Sequence, residues 1–516
     1  MTIHMQAGAT REFEQFLEDL EAELEIPPSR YEAAERSYRS VGDWLGRPES
    51  KLQPFDPLVY SQGSFRLGTA IKPLNLDDEY DVDAICEVRR LDKSRITQAR
   101  LKELLGHELD LYVRAKGMEK PLTERTRCWT LHYADEAQFH LDVTPAVPQS
   151  QVGRALLAGI GVPLALIETA IAITDTGHSS YQLISEDWPR SNPKAYCEWF
   201  RSRMAVVLAR RRAAMAGTRA EVESIPDYKV RTPLQSAIKL LKRHRDIMFS
   251  GNPDDAPISI IITTLAAHAY QGEETTSAAL LRILSDMRAY VLTDRNGNYL
   301  IANPTDPGEN FADKWRKHPE RADAFFEWLD RARQDFASIS KSTDLREIAR
   351  VMSRSFGSVP VERVLRRRPI LSGNLAIRVR DFARDILLGA SHRRRPQWVN
   401  RPAGHVWIEE ASFSRNGFRA EAITSDGRIL EKGGSLRFVA QTSVPAPYKV
   451  YWQIVNTGEE AERAANLRGR FEYVEKGTLT RQENTEYGGP HSIECFIVKN
   501  GTLAARSGAF IVNINN

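Results

Sequence analysis

The run "DEYDVDAICEV", residues 78–88, is rich in residues that favour extended backbone, yet it carries Asp81 and Asp83 two positions apart. In a strand these two carboxylates share one face, and Val82 and Ala84 share the other. One face must therefore meet an apolar core while the other holds two like charges. Unpaired carboxylates at that spacing repel, and burial raises the pKa of either one, so the arrangement calls for a cation. All-oxygen ligation suits Mg²⁺, which takes one or two carboxylates and fills its octahedron with water and phosphate oxygens.

Two further stretches complete this picture. Upstream, "QGSFRLGT" places Gly63, Ser64, Gly68 and Thr69 in a small-residue turn whose N–H groups and hydroxyls can approach phosphate closely. It lacks GxxxxGK[ST], which argues against a P-loop NTPase. Downstream, "QFHLDVTPAV" sets Asp142 inside an apolar strand, a costly position for a charge without a metal or partner. Three carboxylates beside a phosphate cradle are the parts of a two-metal phosphoryl or nucleotidyl transfer site. Taken singly, each also has a structural explanation: acidic pairs are common at strand ends, and glycine turns are common everywhere. Gln62 and Arg66 flank the turn, and His140 shares a strand face with Asp142, where a structural hydrogen-bonding role is its expected one.

The chain of 516 residues is longer than one hydrophobic core usually organises. Residues from about 10 to 46 read as amphipathic helix, with Phe13, Phe16, Leu17 and Leu20 at helical spacing and a break at "IPPSR". Strand-like runs are expected around 81–88, 128–133 and 138–145. Helical patterns then dominate from about 155 to 395, including "LLAGIGVPLALIETAIAI" and "PLQSAIKLLKRHRDIMF". An Arg, Pro and Gly mixture at 391–403 reads as a linker, after which "HVWIEEASF", "YKVYWQIVNTG" and "HSIECFIVKNG" are β-patterned. The formal charge of +3 gives no global argument for nucleic-acid or membrane binding. Arg triplets at 210–212, 366–368 and 393–395 read as solvated surface. Cys86, Cys128, Cys197 and Cys495 are too dispersed for a zinc motif and fit buried thiols in a reducing cytoplasm. No stretch reaches the length and apolarity of a membrane span.

The motifs together resemble the polymerase-β-like nucleotidyltransferases. More narrowly, "SQGSFRLGTAI", "EYDVDAICEV", "FHLDVTPAV", "RTPLQSAIKLLKRHRD" and "ISIIITTLA" resemble the cGAS/DncV-like nucleotidyltransferases (CD-NTases) of bacterial CBASS antiphage systems. "LRGRF", "TEYGGPHSIECFIVKNG" and "ARSGAFIVNI" resemble the adenylyl/guanylyl and SMODS C-terminal sensor domain. The resemblance implies an α+β chain with a mixed-sheet core, a large helical lobe and a C-terminal β-sandwich-like domain, at residues 1–160, 161–395 and 404–516. It implies that Asp81, Asp83 and Asp142 hold two Mg²⁺ ions, with Mn²⁺ as substitute. Gln62, Gly63, Ser64, Lys242 and Ser259 would bind the nucleotide. On residues alone, the basic run around Lys239 and Lys242 reads first as a solvated helix face, whereas a helix N-terminus at Ser259 favours anions independently.

The implied activity is synthesis of a cyclic oligonucleotide, with a cyclic dinucleotide such as cGAMP preferred, from ATP and/or GTP. A downstream effector activated by the product and CBASS accessory proteins are the implied partners. Two rivals stay open: a nucleotidyltransferase that makes a linear oligonucleotide or modifies RNA, protein or a small molecule, and a non-catalytic nucleotide sensor. In the C-terminal domain Trp407, Trp452 and Tyr487 are candidates to stack on a base, although aromatics in sandwiches usually fill cores.

Overall fold

A computed structural model describes residues 9–73, 80–133, 139–216, 231–366, 387, 390, 392–415, 419–425, 427–474 and 478–515. The chain forms two compact units that are not continuous in sequence: one runs from Leu24 to Ser340, and the other joins Thr10–Glu23 to the chain from Lys341 onward.

The expected break in the N-terminal helical pattern separates α1 (Arg11–Leu24) from α2 (Pro28–Gly46). Proline in the first turn of α2 costs no hydrogen bond, because the first helical N–H groups are free in any case. Phe13, Phe16, Leu17 and Leu20 of α1 are fully buried, and Thr10 donates from Oγ1 to the carbonyl of Ser342 at 2.7 Å. The α1 helix thereby joins the second unit.

The first unit is built on a seven-stranded mixed sheet. In chain order its elements are β1 (Pro57–Ser61), α3 (Gly63–Leu67), β2 (Tyr80–Val88), α4 (Gln98–Ala115), β3 (Thr123–Glu124), β4 (Trp129–Tyr133), β5 (Phe139–Pro148), α5 (Gln151–Gly159), α6 (Leu164–Ile167), β6 (Ile171–Ile173) and β7 (Arg190–Ser191). The strand order is β1-β2-β5-β4-β3, with β6 bridging β5 and β7. Only β2 and β5 run parallel; the other pairs in this sheet are antiparallel. Alternation sends Val82, Ala84, Cys86 and Val88 of β2, with Leu141 and Val143 of β5, into a core shared with Val41 and Leu45 of α2 and Leu101, Leu105 and Leu109 of α4. The opposite face of the same two strands is left for Asp81, Asp83, His140 and Asp142.

Helices follow: α7 (Pro193–Ala216), α8 (Pro233–Met248), α9 (Ser259–Ala269) and α10 (Thr276–Asp286). Asn192 caps α7, its Oδ1 accepting from the N–H of Ala195 at 3.2 Å. The helical reading of 156–173 holds only in part, since that stretch ends in β6, whose Ile171, Ala172 and Ile173 are all buried in the sheet. Four short strands, β8 (Leu292–Thr293), β9 (Tyr299–Leu300), β10 (Ala302–Asn303) and β11 (Asp306–Asn310), also interrupt the expected helical region. Asp294 organises the turn between β8 and β9, accepting from the N–H groups of Asn296 and Asn298 at 2.8 Å each. Helix α11 (Pro319–Ile339) ends the unit.

The second unit continues with α12 (Leu345–Phe356) and α13 (Ser358–Arg366), followed by a two-sheet sandwich. One sheet has the order β13-β12-β14-β17: β12 (Val406–Arg415), β13 (Glu421–Ala422), β14 (Gly434–Thr442), β17 (Thr480–Asn484). The other pairs β15 (Lys449–Asn456) with β16 (Phe471–Val474) and β18 (Gly489–Lys499), and β18 also pairs with β19 (Thr502–Arg506) and β20 (Phe510–Ile514). Trp452 fills the core between them, Trp407 is exposed, and Tyr487 lines a small cavity of about 150 Å³. Arg210 and Arg393 of the basic triplets are tied to Glu274 and Glu494, and positions 367 and 368 lie outside the described residues. All four cysteines are free thiols, Cys128 only partly buried.

Candidate active site

The turn and the two strands meet as their spacing demands. The N–H of Gln62 donates to the carbonyl of Asp83 at 2.8 Å, extending the β1–β2 pairing to the start of α3. Gly63 has φ +63°, and a Cβ there would lie 2.2 Å from Oδ2 of Asp83. Only glycine satisfies both conditions, so the turn packs directly on the carboxylate. In the parallel register Asp81 stands opposite His140 and Asp83 opposite Asp142.

Ligand atoms of Asp81, His140 and Asp142 lie within 4.8 Å of one another. His140 Nε2 is 3.3 Å from Asp81 Oδ1, and Thr130 Oγ1 donates to Asp142 Oδ1 at 2.5 Å. Burial, then the charges of Asp81 and Asp142, push Asp83 up to about 7. Burial and the neighbouring Asp142 likewise push Cys128 up to about 12, which keeps it a thiol. These carboxylates lack enough positive charge nearby to offset their mutual repulsion. The grouped donors, the carboxylates of Asp81 and Asp142 with the His140 imidazole, therefore fit a divalent cation, and the Asp83 carboxylate feels the charge of both aspartates.

Helix α8 supplies the opposite wall. Its capping box, Thr232 with Gln235, starts the helix, and Gln235 Nε2 also donates to the carbonyl of Leu67 at 2.9 Å. Lys242, two turns further on, donates to the carbonyl of Thr69 at 3.0 Å and to its Oγ1 at 3.4 Å. The Gly-Ser turn is thus clamped by one face of α8. The basic run is not a solvated face: the helix is buried from Pro233 to His244, Lys239 is bonded to Glu25, and Arg243 donates to the carbonyl of Lys72 at 2.5 Å. Burial, reinforced by Arg245, pushes Lys242 down to about 7.

A cleft of about 320 Å³ is lined by Gly63, Ser64, Asp81, Asp83, Lys242 and Ser259 among others. Ser259 opens α9, and its hydroxyl accepts from Arg245 Nη1 at 3.1 Å. Gln62 is not among the residues lining the cleft. Residue patterns alone did not single out Thr130, Gln235 or Arg245. The Thr232–Gln235 spacing is the signal in the sequence that could have found the helix start that places Gln235. Ile260 lines both this cleft and a larger cavity of about 830 Å³.

The profile of the "Cyclic GMP-AMP synthase DncV-like, nucleotidyltransferase domain" matches residues 57–145, and that of the "Adenylyl/Guanylyl and SMODS C-terminal sensor domain" matches residues 390–515. A c-di-GMP synthase from Roseivirga ehrenbergii is 27% identical over 368 residues, 70% of this chain and 89% of that protein. The cyclic dinucleotide synthase CdnG of Bradyrhizobium diazoefficiens is 27% identical over 316 residues, 58% of this chain and 69% of its own. The solved structure of that CdnG in complex with GTP shares the fold, with a TM-score of 0.53 at 22% identity over 69% of this chain and 98% of that one. The chain is a nucleotidyltransferase with a polymerase-β-type α+β fold. Residues 57–145 are similar to the DncV-like nucleotidyltransferase domain, and residues 390–515 to the adenylyl/guanylyl and SMODS C-terminal sensor domain.

Proposed function

We propose that this enzyme joins ATP and/or GTP into a cyclic dinucleotide second messenger that activates a separate effector in antiphage defence. The observation that carries this reading is the meeting of Asp81, Asp83 and Asp142 with the Gly63–Ser64 turn in a cleft whose far wall holds Lys242 and Ser259. The two curated relatives are named as cyclic dinucleotide synthases, one of them for c-di-GMP, which favours a product containing guanine. The division of labour we propose is a core at 1–160, a helical lobe at 161–395 and a sensor domain at 404–516.

A ribose hydroxyl attacks the α-phosphate of the donor, the bond to the β-phosphate breaks, and pyrophosphate leaves; a second round closes the ring. Two divalent ions, Mg²⁺ or Mn²⁺, bound by Asp81, Asp83 and Asp142, would lower the pKa of the attacking hydroxyl and offset charge on the triphosphate. Thr130 fixes the orientation of Asp142. The Gly63 backbone permits close approach of the triphosphate, and Ser64 and Ser259 present hydroxyls to it. Lys242 holds the turn through Thr69 and has a third ammonium proton for a phosphate oxygen.

The test is incubation with Mg²⁺ and radiolabelled NTPs, singly and in mixtures, followed by phosphatase, chromatography and mass spectrometry. A phosphatase-resistant product that is absent with Asp81→Ala/Asp83→Ala is the expected result. A linear or macromolecule-linked product would overturn the cyclase reading.

A further inference from the structure

The larger cavity, about 830 Å³, has two unlike walls. Val152, Leu156 and Ile258 expose about half or more of their surface into or beside it, an apolar face of the kind that stacks against a purine. The polar part of the lining includes β11, where Gly308, Glu309 and Asn310 lie near Arg190 and Arg127.

That polar wall is assembled with care for charge. Arg127 gives Nε to Asp175 and Arg190 gives Nε to Asp306, each at 2.8 Å, which fixes both guanidinium planes and leaves Nη groups for a ligand. A Cβ on Gly308 would lie 2.2 Å from Arg190 Nη2, so the strand is glycine where the guanidinium packs over it. Glu309 is different. Among the described residues it has no ion-pair partner, and its hydrogen bond comes from Asn303 Nδ2 at 2.7 Å to Oε2. Burial raises its pKa, with Asp306 adding to the rise and Arg127 and Arg190 opposing it. Asp187 and Asp313 also line the cavity but are exposed. Glu309 is thus a partly buried carboxylate with an acceptor oxygen to spare, held next to guanidinium groups.

Guanine presents N1–H and N2–H donors beside the O6 acceptor, with N7 accepting on its other edge. Adenine presents an acceptor at N1, which an ionised carboxylate repels. We propose that Glu309 selects guanine over adenine in this cavity, which shares Ile260 with the cleft, accepting from N1–H and N2–H while Arg127 or Arg190 donates to O6 or N7. The proposal rests on the cleft being a nucleotide site and adds the residue that reads the base.

The experiment compares the full-length chain with Glu309→Gln and Glu309→Ala. Calorimetric binding of GTP, ITP and ATP with Ca²⁺ is measured alongside product formation from equimolar GTP and ATP with Mg²⁺. The unaltered chain should prefer GTP. Each variant should lose about tenfold or more in GTP affinity with ATP affinity unchanged or improved. ITP, which lacks the 2-amino group, should lose less than GTP. Equal losses for GTP and ATP, or no loss, overturn the proposal, as does an unaltered chain that prefers ATP. If binding discriminates as expected but no nucleotide is joined, the synthase reading fails and Glu309 stands. If product forms and its guanine content is the same in the variants, the synthase reading stands and Glu309 falls.

Discussion

Acidic side chains on strands meet opposite fates in the two units. In the sandwich, Glu472 of β16 and Glu483 of β17 share two arginines. Arg468 reaches Glu483 at 2.6 Å and Glu472 at 2.7 Å, and Arg481 reaches Glu483 at 2.6 Å and also bonds Glu472. Burial works against the Glu472 charge, but Arg468 and Arg481 outweigh it and hold the carboxyl below its usual range. In the mixed sheet of the first unit, Asp81 and Asp142 act on Asp83 with no arginine shared between them among the described residues, and Asp83 is pushed up to about 7. A cluster that carries its own counter-charge is a structural tie, whereas a cluster that lacks it demands a cation from solution.

The comparison breaks most visibly in activity. Asp81→Ala/Asp83→Ala should lower nucleotide transfer by roughly 10³-fold or more while leaving the fold intact, because the side chains removed stabilise only the bound state. Removing divalent ions with EDTA should do the same to the unaltered enzyme, reversibly. Glu472→Gln/Glu483→Gln in the sandwich should leave the chemistry of the catalytic sheet unchanged, as a single-turnover assay would show. A loss as large as that of the aspartate pair would mean the contrast is false. Gly63→Ala should follow, with roughly 10²-fold lower activity, since the new methyl meets Asp83 and the left-handed backbone disfavours it. Activity within about twofold of the parent would show that the turn does not need glycine.

Acid and base should separate the two sheets next. With EDTA present, Asp83 has a folded pKa near 7 against 3.8 unfolded, so the native state holds a proton that the unfolded state releases. Stability of β2 amides should therefore fall as pH rises from about 4 to 7. His491 of β18 is pushed down to about 4 by burial, against an ordinary value of 6.5. Its contribution is complete above pH 6.5 and is lost as pH falls toward 4, by up to about 3 kcal/mol. Native-state hydrogen exchange at β2 and β18 should show slopes of opposite sign, and divalent ions should cancel only the first. Parallel slopes would remove the electrostatic distinction.

How much of this the sequence disclosed depended on whether the signal was local. Period-two alternation placed Asp81 and Asp83 on one face of β2, and the apolar context of Asp142 marked it as needing compensation. The sequence did not show that His140 would stand opposite Asp81, because strand register is set by core packing on the far face. Nor did it show that Lys242 would be buried against Thr69, since a basic run on a helix has the same pattern whether solvent or a loop covers it. The short strands β8–β11 escaped notice because they hold little apolar alternation and are fixed by side chains such as Asp294 and Asn303. Glu309 was invisible for the same reason.

The smallest effect separates the clusters most cleanly, because it changes sign. Asp83→Asn removes one of three crowded carboxylates, and without divalent ions at neutral pH it should stabilise the catalytic sheet by about 1–2 kcal/mol. Glu483→Gln removes an acceptor that Arg468 and Arg481 both use, leaving partly buried guanidinium donors short of a counter-charge, and should destabilise the sandwich by about 1–2 kcal/mol. Adding Mg²⁺ should reverse the first result, since the parent then gains a ligand that the variant binds less well, and should leave the second unchanged. Exchange-derived free energies at β2 and β17 read both changes in one experiment. If Asp83→Asn instead destabilises its sheet without metal, the carboxylate is already compensated within the fold, and the catalytic cluster is a structural tie like the one in the sandwich.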